Sequence, residues 1–166
     1  NHFGSNYGLA QTAGGVFGLT AMKSELFTPK ILLSPCDPVR HAANERLQDD
    51  WPSYNTKEGN PVPGDGISYV LCEGADTMRP ATILAATRNL STDDLATARW
   101  LGADSDGGNP NVIAGLNARQ GQITMADGSS RQSTDLEIGS GGSVVGRHSS
   151  SSGGHTKGPA STRIFR

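Results

Sequence analysis

The segment 117–129 constrains the fold more than any other part of this chain. It contains a short strand in which Ile123 and Met125 point to one face, because side chains alternate along a strand. The pair Asp127-Gly128 follows and suits a tight type I′ turn, since Asp tolerates a positive φ and Gly adopts one freely. The sequence therefore predicts a β-hairpin whose polar return strand, Ser129–Ser133, forms a wet sheet edge.

Composition limits the amount of regular structure and the classes of function. Only 34% of the 166 residues are hydrophobic, and the chain has 22 Gly and 9 Pro, which favours loops and turns. A net charge of −2 with mixed signs provides no basic stripe, so nucleic-acid binding is not expected. No apolar run approaches the roughly 20 residues that a membrane span needs. The first residue is Asn, so the sequence predicts that an N-terminal segment has been removed.

One helix and several strands are predicted besides the hairpin. Apolar residues at helical spacing predict a helix from about Gly15 to Phe27 that ends before Pro29. Its stripe is the predicted assembly face and consists of Val16, Leu19, Met22 and Leu26. Ile31–Leu33 is consistent with a buried strand, and the two best strands, Ile67–Glu73 and Thr82–Arg88, predict an antiparallel pair.

These elements predict an α+β fold with one amphipathic N-terminal helix packed on a small antiparallel sheet, long loops and a Gly/Ser-rich C-terminal arm. The expected organisation is an irregular entry over residues 1–14, a globular domain over 15–138 and the arm over 139–166. The arm is expected to be flexible or to become ordered only against a neighbour.

The chain has two cysteines, Cys36 and Cys72. A disulfide between them would contribute about 4 kcal/mol in the chain-entropy picture. The alternative is a pair of ordinary thiols, because Cys also packs as a small hydrophobic residue. Two cysteines are too few to identify the redox compartment.

A Gly-rich loop offers the preferred candidate ligands for a metal, ahead of His148 and His155, which flank a serine run and would suit a transition metal poorly. Asp104, Asp106 and Asn109 supply oxygen atoms, which calcium prefers. The spacing departs from the EF-hand pattern after Asp106, and no Glu stands at the twelfth position. The alternative is a plain loop, so calcium is the one candidate cofactor and no cofactor is required.

The sequence predicts no catalytic residue and no enzyme. The closest approach to a nucleophile elbow, 141–145, lacks its final Gly and falls in the predicted arm. The dinucleotide and phosphate-loop patterns are absent. None of the four histidines has a partner that spacing predicts, so catalysis by Ser and His is not supported.

Two kinds of surface feature remain open. The Asn89-Leu90-Ser91 triplet fits the N-linked acceptor pattern, and the hydroxyls of the serine run are candidates for O-glycosylation. The candidate acceptors are Asn89, Ser149, Ser150, Ser151 and Ser152. The alternatives are a chance triplet and a plain linker. Trp51, Tyr54 and Trp100 are candidates for stacking on sugars or, alternatively, for anchoring loops and core.

An ordered series of motifs resembles the globular region of type IV pilin-like proteins and pseudopilins, closest to those of planctomycete and verrucomicrobial bacteria. The series consists of Ser34–Asp37, Ile67–Tyr69, Arg79–Asn89 and Gly121–Gly128, within about residues 31 to 137. The family usually has a Cys-Pro-Ser-Asp-like order where this chain has Ser-Pro-Cys-Asp. Asn117 and its neighbours replace a His often found before the Asp-Gly turn, and the long apolar N-terminal helix is absent.

The resemblance implies a structural protein that assembles outside the cell or at its surface. The expected function is that of a repeating subunit in a pilus-like or tubular filament, with copies of the chain as partners. One alternative is a minor pseudopilin of a type II secretion system, which would act with the secretion or pilus machinery. Another is a secreted carbohydrate- or calcium-binding module.

Overall fold

The computed structural model describes residues 12–42, 50–105 and 107–166. The described residues form two compact units. The first comprises those up to Tyr69 together with Arg166, and the second comprises those within Val70–Phe165. The described residues contain both helices and an antiparallel sheet, so the α+β prediction is confirmed at that level.

The first unit contains short helices and turns. Its α-helices are α1 (Ala13–Phe17), α2 (Thr20–Lys23) and α3 (Pro38–Ala42). Its 3-10 helices are Pro29–Leu32, Trp51–Ser53, Thr56–Glu58 and Gly64–Gly66. Buried apolar side chains that include Val16, Phe17, Leu32, Tyr54, Val62 and Ile67 form its interior.

The single helix predicted over residues 15–27 is two helices in the structure. The carbonyl of Gly18 accepts a hydrogen bond from the Thr56 backbone N–H at 3.3 Å, while the Met22 N–H bonds to Leu19 instead. Gly18 also lies so close to Thr56 that an added Cβ would be 2.3 Å from its hydroxyl oxygen. Contact with another part of the chain therefore interrupts the helix that the apolar spacing predicted.

The strand predicted at Ile31–Leu33 is also wrong. Pro29 begins a 3-10 helix there, and the Thr28 hydroxyl accepts a hydrogen bond from the Lys30 N–H at 3.4 Å. Leu32 and Leu33 are buried as expected, whereas Ile31 is exposed. A Thr-Pro start favours a helical turn because Pro has its φ preset for the first helical position.

The second unit is built on a five-stranded antiparallel sheet of order β4-β3-β2-β1-β7. Its strands are β1 (Tyr69–Cys72), β2 (Ile83–Thr87), β3 (Gln120–Met125), β4 (Ser130–Thr134) and β7 (Ile164–Phe165). Strands β1 and β2 are neighbours, as predicted for the best two strands. A separate two-stranded ladder pairs β5 (Ser152–Gly153) with β6 (Gly158–Pro159).

The hairpin predicted at Asp127-Gly128 is present, and β4 is an edge strand with three exposed residues at its start. The predicted turn type is wrong, because Gly128 has φ 85 whereas Asp127 does not have a positive φ. The Gly128 N–H bonds to Met125, and the Met125 N–H bonds to Ser129. This pattern is typical of a three-residue loop that ends in a glycine bulge.

The predicted C-terminal arm is part of the second unit. Helix α4 (Ser143–Ser150) follows Gly142, and its Val144 and Val145 side chains lie in the same core as Ile83 and Ile123. Strand β7 completes the sheet by pairing with β1. Burial of a few apolar side chains thus orders a segment whose Gly and Ser content suggested flexibility.

Candidate functional site

A cleft of about 390 Å³ in the second unit lies beside the loop that was predicted to bind calcium. The residues that line it are Arg99, Trp100, Leu101, Asp104, Ser105, Asn109, Arg119 and Asp135. Five of these carry charged or amide side chains from three separate segments, together with the Ser105 hydroxyl. The fold therefore collects polar groups that are distant in sequence.

Two of the three predicted calcium ligands lie at this cleft, and Asp106 lies outside the described residues. The Asp104 carboxylate pairs with the Arg119 guanidinium at 3.8 Å. The Asn109 side-chain oxygen accepts a hydrogen bond from the Asn111 backbone N–H at 2.9 Å. Within the described residues no group of three His, Cys, Asp or Glu side chains is arranged as a metal site. The calcium set stays a prediction.

The guanidinium groups of Arg99 and Arg119 are the principal hydrogen-bond donors of the cleft. Arg99 makes backbone hydrogen bonds with Ser91, but its guanidinium has no partner in the part of the chain that the structure describes. Among the described residues, the Arg119 guanidinium pairs only with Asp104, at the long distance of 3.8 Å, and 77% of its side chain is exposed. A guanidinium carries five N–H donors, so most of this donor capacity is open to a ligand.

Arg119 also has a backbone conformation that side chains rarely adopt. Its φ of 52 lies in the left-handed region. A non-glycine residue there is strained by about 1–3 kcal/mol, and such residues occur preferentially at sites of binding. Sequence reasoning had no signal for this residue, since no motif marks it.

Trp100 forms the buried side of the cleft. Its side chain is 1% exposed, and its backbone N–H donates to the Asp135 carboxylate at 2.8 Å. The indole ring fills the space above Gly121, where an added Cβ would lie 2.2 Å from Cε3. Asp135 and Trp100 are therefore held in place by each other and by strand β3.

A second cluster of polar groups is buried and organises the C-terminal segment. The Arg79 guanidinium donates to the carbonyls of Gly74, Ser151 and Gly158 at 2.6, 3.0 and 3.1 Å. The Asp76 carboxylate accepts the backbone N–H of His155 at 2.6 Å and that of Met78 at 2.9 Å. These hydrogen bonds, first to His155, hold the pKa of Asp76 below its ordinary value.

His148 is fully buried and uses both ring nitrogens. Its Nδ1 accepts the Ile83 backbone N–H at 2.9 Å, so Nε2 carries the proton and donates to the Ser161 carbonyl at 2.6 Å. Burial lowers the pKa of His148, and the positive charge of Arg79 adds to this, while the hydrogen bond to Ser161 opposes it. The arrangement joins β2, α4 and the C-terminal segment through a neutral imidazole.

We expect the second unit to lose stability as the pH falls below 6.5, the ordinary pKa of histidine. Because the pKa of His148 is lowered in the folded chain, the unfolded chain binds more protons below that pH. The stability is fully present above 6.5 and is lost as the pH falls through the lowered value. The slope should approach about 1.4 kcal/mol per pH unit, the limit for one proton.

Urea unfolding at pH 7.5, 6.5 and 5.5 measures this slope. His148→Gln should remove it, whereas His155→Gln, which alters an exposed side chain, should retain it. A slope in His148→Gln equal to that of the unaltered chain would show that another group is responsible. Asp76 does not interfere, since its lowered pKa places its contribution in a more acidic range.

Cys36 and Cys72 are both free in the structure and belong to different units, and the disulfide stays a prediction. Cys72 is packed in the core of the second unit, and burial raises the pKa of its thiol to about 12. This thiol is therefore protonated and a poor nucleophile at neutral pH.

The candidate glycosylation sites differ in accessibility. Asn89 is fully buried, and its amide donates to the carbonyls of Leu101 and Gln120, so it is not available to a glycan in the folded chain. Ser150 and Ser152 are exposed, whereas Ser149 and Ser151 are partly covered. The O-linked candidates stay a prediction.

The candidate sugar-stacking aromatics do not present open rings. Tyr54 and Trp100 are buried, and the Trp51 indole N–H donates to the Leu26 carbonyl at 2.6 Å. The interpretation of these residues as anchors of loops and core is the one that fits their burial.

The predicted assembly face is only partly at the surface. Val16 is buried in the interior of the first unit, because the whole of α1 is covered. Leu19, Met22 and Leu26 are partly buried. The most exposed apolar side chain in this region is Phe27, at 96%, which the stripe did not include.

Within residues 12–42, 50–105 and 107–166, no helix has the length and apolar character needed to cross a membrane. Comparison of the chain with protein-family models, with curated proteins and with solved structures found no match.

Proposed function

We propose that the chain is a structural subunit of an extracellular pilus-like or tubular filament and that it acts by self-assembly. Two features support this proposal: the ordered motifs that resemble pilin-like heads, and an antiparallel sheet that ends in the Asp127-Gly128 hairpin. Copies of the chain are the partners.

The observation that carries the proposal is a group of exposed apolar side chains in the first unit. Phe27, Ile31 and Val39 are 96%, 53% and 60% exposed, and they lie within one short segment. We call these three residues the apolar segment surface. Burying a large apolar side chain stabilises a contact by about 1.5–3 kcal/mol, so such a surface favours association.

The position of this segment is fixed by the rest of the first unit. Trp51 holds the Leu26 carbonyl next to Phe27, and the Leu32 carbonyl accepts the Ser68 N–H at 2.9 Å. A rigid surface that contacts a different surface on the next copy generates an open helical polymer when the rotation does not close. Polymer mechanics and surface display would then be the function.

We expect the triple substitution Phe27→Ser, Ile31→Ser and Val39→Ser to prevent polymer formation. Loss of about 1.5 kcal/mol for one apolar contact raises the concentration needed for assembly about tenfold, and three losses raise it further. Electron microscopy and sedimentation velocity of the full chain measure the polymer, and circular dichroism checks that the variant is folded.

Met78→Ser with Leu136→Ser provides the matched control, because these apolar side chains are 73% and 84% exposed and belong to the second unit. This control should still polymerise. A chain that stays monomeric at every concentration would overturn the filament proposal. Equal loss in the triple variant and the control would overturn the assignment of the apolar segment surface.

A further inference from the structure

We propose that the cleft between Arg99, Arg119 and Asp135 binds an acidic sugar, with the two guanidinium groups holding its carboxylate. The ligand class is a hydroxylated acid of monosaccharide size, of which a uronic acid is the simplest example. This inference is independent of whether the chain polymerises.

The charge and donor capacity of the arginines select an anionic group. Arg99 and Arg119 line the same cleft, and neither guanidinium is satisfied by a short hydrogen bond in the described part of the chain. Arg binds carboxylates through paired, charge-assisted hydrogen bonds, which are about twice as strong as neutral ones.

The remaining polar groups select hydroxyls rather than a simple anion. The carboxylates of Asp104 and Asp135 can accept further hydrogen bonds from a ligand, and the hydroxyls of a sugar supply donors that sulfate lacks. Ser105 and Asn109 add a hydroxyl and an amide at the same cleft. A ligand that carries one carboxylate and several hydroxyls matches this mixture of donors and acceptors.

The size of the cleft and its support fit a small ligand. Its volume of about 390 Å³ lies within the range of roughly 300–1,000 Å³ that is typical of small-molecule sites. Trp100 is buried behind it and holds Asp135 through a 2.8 Å hydrogen bond. The backbone conformation of Arg119, with φ 52, sets the direction in which its side chain leaves the main chain at the rim.

Titration of the full chain with galacturonate, followed by NMR chemical shifts, tests the proposal. We expect saturable shifts at residues 99–104 and 119. Galactose and inorganic phosphate, titrated separately, should each bind about tenfold more weakly, because galactose lacks the carboxylate and phosphate lacks the ring hydroxyls of a sugar. Galactose 6-sulfate distinguishes a requirement for carboxylate geometry from one for any sugar oxyanion.

Arg99→Gln and Arg119→Gln should each weaken galacturonate binding about tenfold or more. Arg147→Gln is the matched control, since Arg147 is an exposed arginine of α4 that does not line the cleft. Unchanged unfolding midpoints would show that the variants are folded. The proposal is overturned if galacturonate does not bind, if phosphate binds equally well, or if both cleft variants bind like the control.

Discussion

Gly121→Ala is expected to destabilise the second unit by about 3 kcal/mol, the upper end of the usual cost of overpacking a core. Gly121 occupies an inward position of β3, and an added Cβ would lie 2.2, 2.3 and 2.6 Å from Cε3, Cζ3 and Cδ2 of Trp100. For a chain of this size, the melting temperature should fall by about 6–12 °C. Thermal unfolding followed by circular dichroism measures the change.

The indole ring cannot move aside cheaply. Trp100 is 1% exposed, and its backbone N–H donates to the Asp135 carboxylate. Its backbone also forms an isolated antiparallel β-bridge with Leu90. The strain of the added methyl group must therefore be taken up by the sheet or by the core. Protein interiors are packed as densely as organic crystals, so neither has room to spare.

Two further variants distinguish this clash from a general intolerance of substitution. Gly146→Ala, in the exposed face of α4 with nothing within 4 Å of an added Cβ, should stabilise the chain by about 0.5–1 kcal/mol. In a Trp100→Leu background, Gly121→Ala should cost less than half of its original amount, because the smaller side chain leaves space. Equal costs in both backgrounds would show that the indole ring is not the cause.

The hairpin and the sheet around it were predictable because local chemistry determines them. Ile123 is buried and Gln122 is exposed, as strict alternation requires. The polar Ser130–Thr134 strand lies at an edge of the sheet, and its first three residues are exposed. The turn type was not predictable from the Asp127-Gly128 pair alone, since both the two-residue and the three-residue loops accept Gly at the left-handed position.

The prediction of one continuous helix over residues 15–27 was wrong because of a contact with a residue far along the chain. The spacing of Val16, Leu19 and Met22 is helical, but Thr56 takes the Gly18 carbonyl that a continuous helix would have used. A single sequence does not reveal that competitor, which is 38 residues away. Tertiary hydrogen bonds of this kind override propensities, which amount to less than about 1 kcal/mol per residue.

The ordered structure of the C-terminal segment was not predictable, because its few apolar residues are surrounded by Gly and Ser. Val144, Val145 and Ile164 reach the core, and His148 adds two buried hydrogen bonds. The composition of the segment is dominated by Gly and Ser, so it indicates flexibility and does not reveal these few buried side chains. The cleft could not be predicted from the sequence for a related reason. Arg99 and Arg119 are distant in sequence and come together only in the folded chain.

Arg79→Ala is expected to cost about 4 kcal/mol, because the side chain is 5% exposed and donates to three carbonyls. Its removal leaves Gly74, Ser151 and Gly158 without these donors in a poorly solvated region. Breaking one partner of a buried charged network costs about 3–5 kcal/mol, more than the net value of the bonds themselves. Urea unfolding at pH 7.5, where His148 is neutral, measures the loss.

The loss should also be local, because Arg79 bonds on both sides of the β5–β6 ladder. We expect amide hydrogen exchange at Lys157 and Ala160 to accelerate more than exchange in β3. Arg79→Lys keeps the charge but cannot reproduce the planar fork, so it should recover only part of the stability.

Arg131→Ala is the matched control, since that arginine pairs with Glu137 at 2.6 Å but has 41% of its side chain exposed. It should change stability by less than about 1 kcal/mol. A loss in Arg79→Ala no larger than this, or uniform exchange across the second unit, would contradict a specific role for Arg79. The opposite result would establish that one buried guanidinium holds a Gly- and Ser-rich segment in the fold.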